Sequence, residues 1–190
     1  SSSIIEREVS LWFKERSHDL HVFSNSFVIS ENFNKYLNAK KDGGSPEASL
    51  ATRKIETYLT SVQTQFDDYI RLFVLHNDGT VVAASAAEGI DRPVKLPRDV
   101  QKQVALSKYF VGEVYFEKEN KKPLMLVGIP LFSEQFDKSI GLLAIEIRLQ
   151  CLLPLLNKAL ANSQDDVHIS GSLVNLTDGY RFLSTDKSAD

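Results

Sequence analysis

Three strand-like segments follow one another between residues 106 and 149. Each has the length of a strand and is rich in β-branched and aromatic residues: Tyr109–Phe116, Pro123–Phe132 and Ile140–Leu149. The segments between them, Glu117–Lys122 and Ser133–Ser139, are short and polar, which predicts antiparallel strands joined by two hairpin loops. The last two runs are almost continuously apolar, which is typical of strands covered on both faces. The feature predicts a central sheet with helices packed against it.

The chain begins with apolar residues at helical spacing. They recur every three or four residues, with Arg16 in the one gap: Ile5, Val9, Trp12, Leu20, Phe23 and Phe27. This stripe predicts one long helix over about residues 4–38, with one face packed on the sheet. Phe13, Val28 and Phe33 widen the stripe, which leaves open a second contact with a dimer partner.

The remaining elements complete an α+β domain. Two glycines and Ser45-Pro46-Glu47 predict a second helix that ends near Asp67. Three further elements follow it: a hairpin over Tyr69–Ser85 with the turn Asn77-Asp78-Gly79, an irregular loop over Glu88–Pro97, and a short helix over Arg98–Lys108. Together with the three later strands, this order predicts a five-stranded antiparallel sheet.

The first hairpin recurs near the end of the chain. Leu72–Ser85 aligns without gaps on Ser172–Thr185, and each copy has an Asp-Gly turn between apolar strand residues. We interpret residues 1–160 as one complete module and residues 161–190 as the start of a second, incomplete one. A chance likeness between two hairpins, or a second hairpin that packs on the first module, remains open.

Composition argues against several function classes. A net charge of −3 with both signs interspersed argues against nucleic-acid binding. The single Cys151 excludes an internal disulfide and a cysteine-based zinc site, and His18 and His21 lack an evident third metal ligand. No phosphate-binding loop or hydrolase motif occurs. The sequence therefore predicts a protein that is not an enzyme and has no cofactor or metal.

The order and spacing of these segments resemble a double Cache sensor domain, the PAS-like extracytoplasmic module of bacterial transmembrane receptors. The segments that carry the resemblance are Trp12–Leu20, Phe73–Ser85 with its Asn-Asp-Gly turn, Gly112–Tyr115, Gly128–Phe132 and Gly141–Ile147. The resemblance covers residues 4–160 as the membrane-distal module and 167–185 as the start of the proximal one.

The resemblance implies a periplasmic or extracellular receptor domain. Its first helix would continue from a membrane span and form a homodimer, and a histidine kinase, diguanylate cyclase or chemoreceptor signalling domain would lie outside this chain. An alternative is a module of the same fold with a filled pocket, used for dimerisation or for docking a periplasmic partner. A cytosolic PAS domain is a third reading.

The resemblance also places a small-molecule pocket between the sheet and residues 88–108. Strand alternation puts two sets of residues on its floor: Val111, Glu113, Tyr115 and Glu117 on the third strand, and Leu142, Ala144, Glu146 and Arg148 on the fifth. The opposite face of the fifth strand, from Leu143 to Leu149, is more apolar and is expected to meet the long helix. A buried Glu146 requires a partner: a cationic ligand group, Arg148 or Lys108.

The amino-acid-binding subset of the family has an Arg, a Trp-Tyr pair, a Tyr, an acid and an Asp. Here Arg92, Tyr115, Glu117 and Glu146 match, but Val94 and Lys95 replace the aromatic pair. Arg92 or Lys95 could hold a carboxylate or another anion. The predicted ligand-binding residues are Arg92, Lys95, Tyr109, Glu113, Tyr115, Glu117 and Glu146. Alternatively, Arg92 and Lys95 are solvated and the two tyrosines are core edges.

Overall fold

One antiparallel sheet lies between three long helices and one short helix. The computed structural model describes residues 2–44, 46–85, 94–117, 119–133, 136–155 and 157. The helices are α1 (Ser2–Ser24), α2 (Phe27–Lys41), α3 (Pro46–Gln63) and α4 (Val100–Ser107). The strands are β1 (Tyr69–Leu75), β2 (Val81–Ala84), β3 (Phe110–Val111), β4 (Tyr115–Phe116), β5 (Pro123–Ser133) and β6 (Phe136–Arg148), and a 3-10 turn follows at Leu149–Leu152.

The sheet has the order β2-β1-β6-β5, and both β3 and β4 pair with the outer edge of β5. All pairs are antiparallel. The long β5–β6 hairpin forms the centre, as its apolar sequence predicts. The α+β class and the antiparallel sheet with leading helices are thus confirmed, although two short strands replace the predicted third strand.

The larger core lies between the sheet and the first three helices. Leu143, Ile145 and Ile147 project from β6 into the same cluster as Trp12 and Phe13 of α1. Helix α3 contributes Ile55, Leu59 and Val62. The prediction that the more apolar face of this strand meets the first helix is confirmed.

The prediction of one unbroken helix over residues 4–38 is wrong. Helix α1 ends at Ser24, and α2 begins at Phe27. Between them Ser26 is extended (φ −62°, ψ 127°), and its hydroxyl accepts a hydrogen bond from the amide of Val28 at 3.3 Å. Ser and Asn side chains compete with helical hydrogen bonds, which is why the run Ser24-Asn25-Ser26 ends one helix and caps the next. The second predicted helix is also too long, since α3 ends at Gln63 rather than near Asp67.

A smaller apolar cluster covers the other face of the sheet. There Val100 and Val104 of α4 pack on Phe110, Leu75 and Leu142. The predicted short helix is therefore present, with slightly narrower bounds. Part of the predicted loop, the repeated hairpin at 172–185 and the proposed second module all lie outside the described residues.

Candidate ligand-binding site

The face of the sheet that meets α4 changes from apolar to polar along the strands. The apolar cluster reaches Phe73 on β1 and Ala144 on β6. The next residues on the same face are Arg71 and Glu146, whose Cα atoms are register partners. The predicted pocket floor therefore has a polar end formed by side chains from adjacent strands.

Tyr115 is the hydrogen-bond partner of Glu146. Its hydroxyl donates to Oε2 of Glu146, and 37% of the residue surface is exposed. Burial of the phenol and the negative charge of Glu146 raise the pKa of Tyr115, so the hydroxyl stays a proton donor at neutral pH. The predicted alternatives Arg148 and Lys108 do not form an ion pair with Glu146 within the described part of the chain.

A one-residue register shift brings Tyr115 to this face. Val111 on β3 pairs with Val127, and regular continuation would pair Tyr115 with Pro123. Tyr115 pairs instead with Leu124. An extra residue turns the following side chains to the other face. Val111 consequently packs on the helix side, and the prediction that it shares a face with Tyr115 is wrong.

Two predicted site residues, Lys95 and Glu113, form an ion pair on the exposed surface. The Nζ atom of Lys95 lies 3.1 Å from Oε2 of Glu113, with 85% and 49% of the side chains exposed. An exposed pair of this kind contributes about 0–1 kcal/mol, because water screens both charges. The pair links the segment before α4 to the connection between β3 and β4. Lys95 is exposed to solvent, which agrees with the alternative prediction that it is a solvated loop residue.

The other predicted residues are dispersed. Tyr109 is partly buried against the helix-side cluster, so the structure does not bring it to Glu146. Glu117 follows β4, and its charge adds weakly to the rise in the pKa of Tyr115, which places it near the phenol. Arg92 lies outside the described residues.

Sequence reasoning missed Arg71. Its guanidinium carbon lies 5.8 Å from the ring centre of Phe73, and its Nε atom is buried. One signal was present, because Arg71 is the single charged residue in the apolar run Ile70–Leu75. That signal could not reveal the pairing of β1 with β6, which places Arg71 opposite Glu146.

We expect Tyr115→Phe to lower the free energy of unfolding by about 1 kcal/mol, because Glu146 loses a donor in a partly solvated position. Urea titration measures this difference. The difference in the free energy of unfolding between wild type and variant should be constant from pH 6 to 9 and shrink above pH 10. The raised pKa of Tyr115 in the folded state gives the wild type stability that is lost only as the phenol ionises. Tyr58→Phe on α3 is the control and should change stability little, because this ring is also partly buried but its hydroxyl does not donate to an acid among the described residues. An equal effect at Tyr58 would contradict the role of the hydrogen bond.

The described residues contain no cluster of three or more His, Cys, Asp or Glu side chains arranged to hold a metal ion. None of the helices in that part of the chain is long and apolar enough to cross a membrane.

Two solved structures with a similar fold are ligand-binding domains of chemoreceptors. The ligand-binding domain of the Campylobacter jejuni chemoreceptor Tlp3, in complex with 4-methylisoleucine, matches with a TM-score of 0.51 and 13% identity over 85% of this chain and 59% of its own. That of the Pseudomonas fluorescens chemoreceptor CtaA, in complex with L-valine, matches with a TM-score of 0.52 and 10% identity over 82% and 62%.

The chain thus spans about three fifths of the length of these two domains. No protein-family model matches it, and neither does any curated protein sequence. Identities this low establish likeness of fold. The chain has the fold of the ligand-binding domains of bacterial chemoreceptors, which confirms at the level of architecture its resemblance to a double Cache sensor domain.

Proposed function

We propose that this chain is the extracytoplasmic ligand-sensing domain of a bacterial signal-transduction receptor. The observation that carries the proposal is the group of polar side chains, Arg71, Tyr115 and Glu146, at the end of an otherwise apolar sheet face. Polar groups placed at the edge of an apolar surface are typical of small-molecule sites. The matched fold supports the proposal, since both similar domains are ligand-binding parts of chemoreceptors.

Strands β1 and β6 provide the route from ligand to helix. Arg71 and Glu146 lie on the ligand side, while Leu72, Ile145 and Ile147 of the same strands pack into the core with α1. A ligand that changes the spacing of the two strands changes the packing beneath α1. It shifts the equilibrium between two packings only by its difference in affinity for them.

The proposal includes a periplasmic location, a membrane anchor and a homodimer through α1. Ile4, Leu11 and Val22 are exposed on this helix. Their spacings of seven and eleven residues place them on one stripe. The output domain of the receptor, a histidine kinase, a diguanylate cyclase or a chemoreceptor signalling domain, would lie outside this chain.

The same stripe favours a second candidate function, a dimerisation or partner-docking module that binds no ligand. Glu146 already has Tyr115 as a partner, so the carboxylate does not require a ligand. The two functions differ in whether a small molecule stabilises the chain.

A thermal-shift screen separates them. Organic acids, amino acids, amines and purines are tested, and we expect at least one compound to raise the melting temperature, because a ligand at 100 times its Kd adds about 2.7 kcal/mol. The shift should differ in Glu146→Gln, which changes the charge of the polar group, and stay unchanged in Glu119→Gln, an exposed acid on the loop before β5. No shift with any compound would contradict the sensing function and favour the docking module.

A further inference from the structure

Two arginines flank Glu146 on the face that meets α4. Arg71 lies directly across on β1, and Arg148 lies two residues further along β6. In both side chains the Nε atom is buried and has no hydrogen-bond partner among the described residues. Leaving a buried donor unpaired is unfavourable, so an acceptor that reaches it gains affinity.

Arg71 does not pair with the acid across from it. The two residues are register partners, yet no guanidinium nitrogen of Arg71 lies within ion-pair distance of Glu146. The guanidinium lies instead over the ring of Phe73. The positive charge of Arg71 opposes the rise in the pKa of Tyr115. Arg71 therefore lies near the phenol whose hydroxyl donates to Glu146. Among the described residues, Glu146 thus has a hydrogen-bond donor, whereas Arg71 has no acid within ion-pair distance.

We infer that Arg71 binds the carboxylate of the ligand, and that the site prefers simple organic carboxylates to the α-amino acids with the same carbon skeleton. This inference rests on the proposed sensing function and names its ligand class. A carboxylate offers two oxygens to the planar guanidinium, which suits a bidentate pair.

An α-ammonium group would gain less at this site. One oxygen of Glu146, Oε2, already accepts from Tyr115, so the ammonium group would have Oε1 as its main acceptor on this acid. It would also lie beside Arg71, whose positive charge repels it. The other acid near the phenol, Glu117, acts on Tyr115 more weakly than Glu146 does. The match of Glu146 to the Asp of the amino-acid-binding motif is therefore not enough to expect an amino-acid ligand.

The test uses matched probes. Butanoate, 3-methylbutanoate and butanedioate are each compared with the corresponding amide and with 2-aminobutanoate, L-valine and L-aspartate. Calorimetry and thermal shift should show at least one carboxylate binding tenfold or more tightly than both its amide and its amino acid. Arg71→Gln should lower that affinity tenfold or more, and Arg71→Lys should restore only part of it. The exposed Arg7→Gln on α1 is the matched control and should bind as the wild type does.

A second readout observes binding in the wild-type protein and uses a variant only to assign one resonance. The Nε–H resonance of Arg71, assigned by its loss in Arg71→Lys, should shift on titration with the bound carboxylate and not with the amide. Equal binding of carboxylate and amino acid, or an unchanged affinity in Arg71→Gln, would overturn the inference. So would silence of all three carboxylates. In that case binding of an amine or a purine in the wider screen would still support the sensing function.

Discussion

Replacement of Gly141 by alanine is expected to lower the free energy of unfolding by about 3 kcal/mol, the upper end for an overpacked core. A Cβ atom there would lie 2.4 Å from the carbonyl oxygen of Leu75 and 2.7 Å from the Phe33 ring. The first neighbour is backbone of the paired strand β1, and the second belongs to α2. Neither can move away without disturbing the sheet or the helix. Urea denaturation measures the loss.

Gly112→Ala is the matched control, because its Cβ atom would make only an ordinary contact with Leu126 at 3.4 Å. We expect this variant to stay within about 0.5 kcal/mol of the wild type. Combining Gly141→Ala with Phe33→Leu should not restore stability, since the clash with Leu75 remains. A loss below about 1 kcal/mol for Gly141→Ala would contradict the close approach of α2 to β6.

The contact at Gly141 belongs to a larger joint between α2 and the end of β1. Phe33 stacks near Tyr36, and the Tyr36 hydroxyl lies 3.2 Å from Nε2 of His76. This joint lies on the helix side, opposite the polar group of the candidate site. The polar group and the joint therefore lie on opposite faces of the same strands, which is the arrangement that the proposed sensing function requires.

The sheet could be predicted because the sequence patterns that specify its strands lie within short segments. Alternation, polar breaks and the Asn77-Asp78-Gly79 turn lie within short segments of the chain, and hairpins pair segments that are neighbours in sequence. The side of β6 that meets α1 could be predicted for the same reason. The end of α1 could also have been read from the polar run Ser24–Ser26, but the apolar stripe continued to Phe27 and suggested an unbroken helix.

The candidate site could be predicted only in part, because it depends on pairings between distant segments. Tyr115 and Glu146 lie on strands separated by β5, and their contact follows from a register shift that alternation alone cannot reveal. The position of Arg71 across from Glu146 became visible only when β1 was placed beside β6. The resemblance to a family motif drew attention to Glu146, yet it carried no information on which side chain donates a hydrogen bond to this acid.

Gly79→Ala should be the second strongly destabilising change, at about 2–4 kcal/mol, for two independent reasons. Gly79 has a φ of +92°, which alanine adopts only with strain. A Cβ atom there would also lie 2.3 Å from the carbonyl oxygen of Val94. Urea denaturation measures the global effect.

The local effect of Gly79→Ala bears directly on the site. The amide of Val94 donates to the carbonyl of Gly79 at 2.9 Å, and this bond ties the segment leading into α4 to the β1–β2 turn. Hydrogen exchange at the Val94 amide should accelerate more than global unfolding explains. Asp78→Ala, in the same turn, removes only an exposed bond to the Thr80 amide and should leave Val94 protected. Equal exchange at Val94 in both variants would show that the turn does not hold this segment over the site.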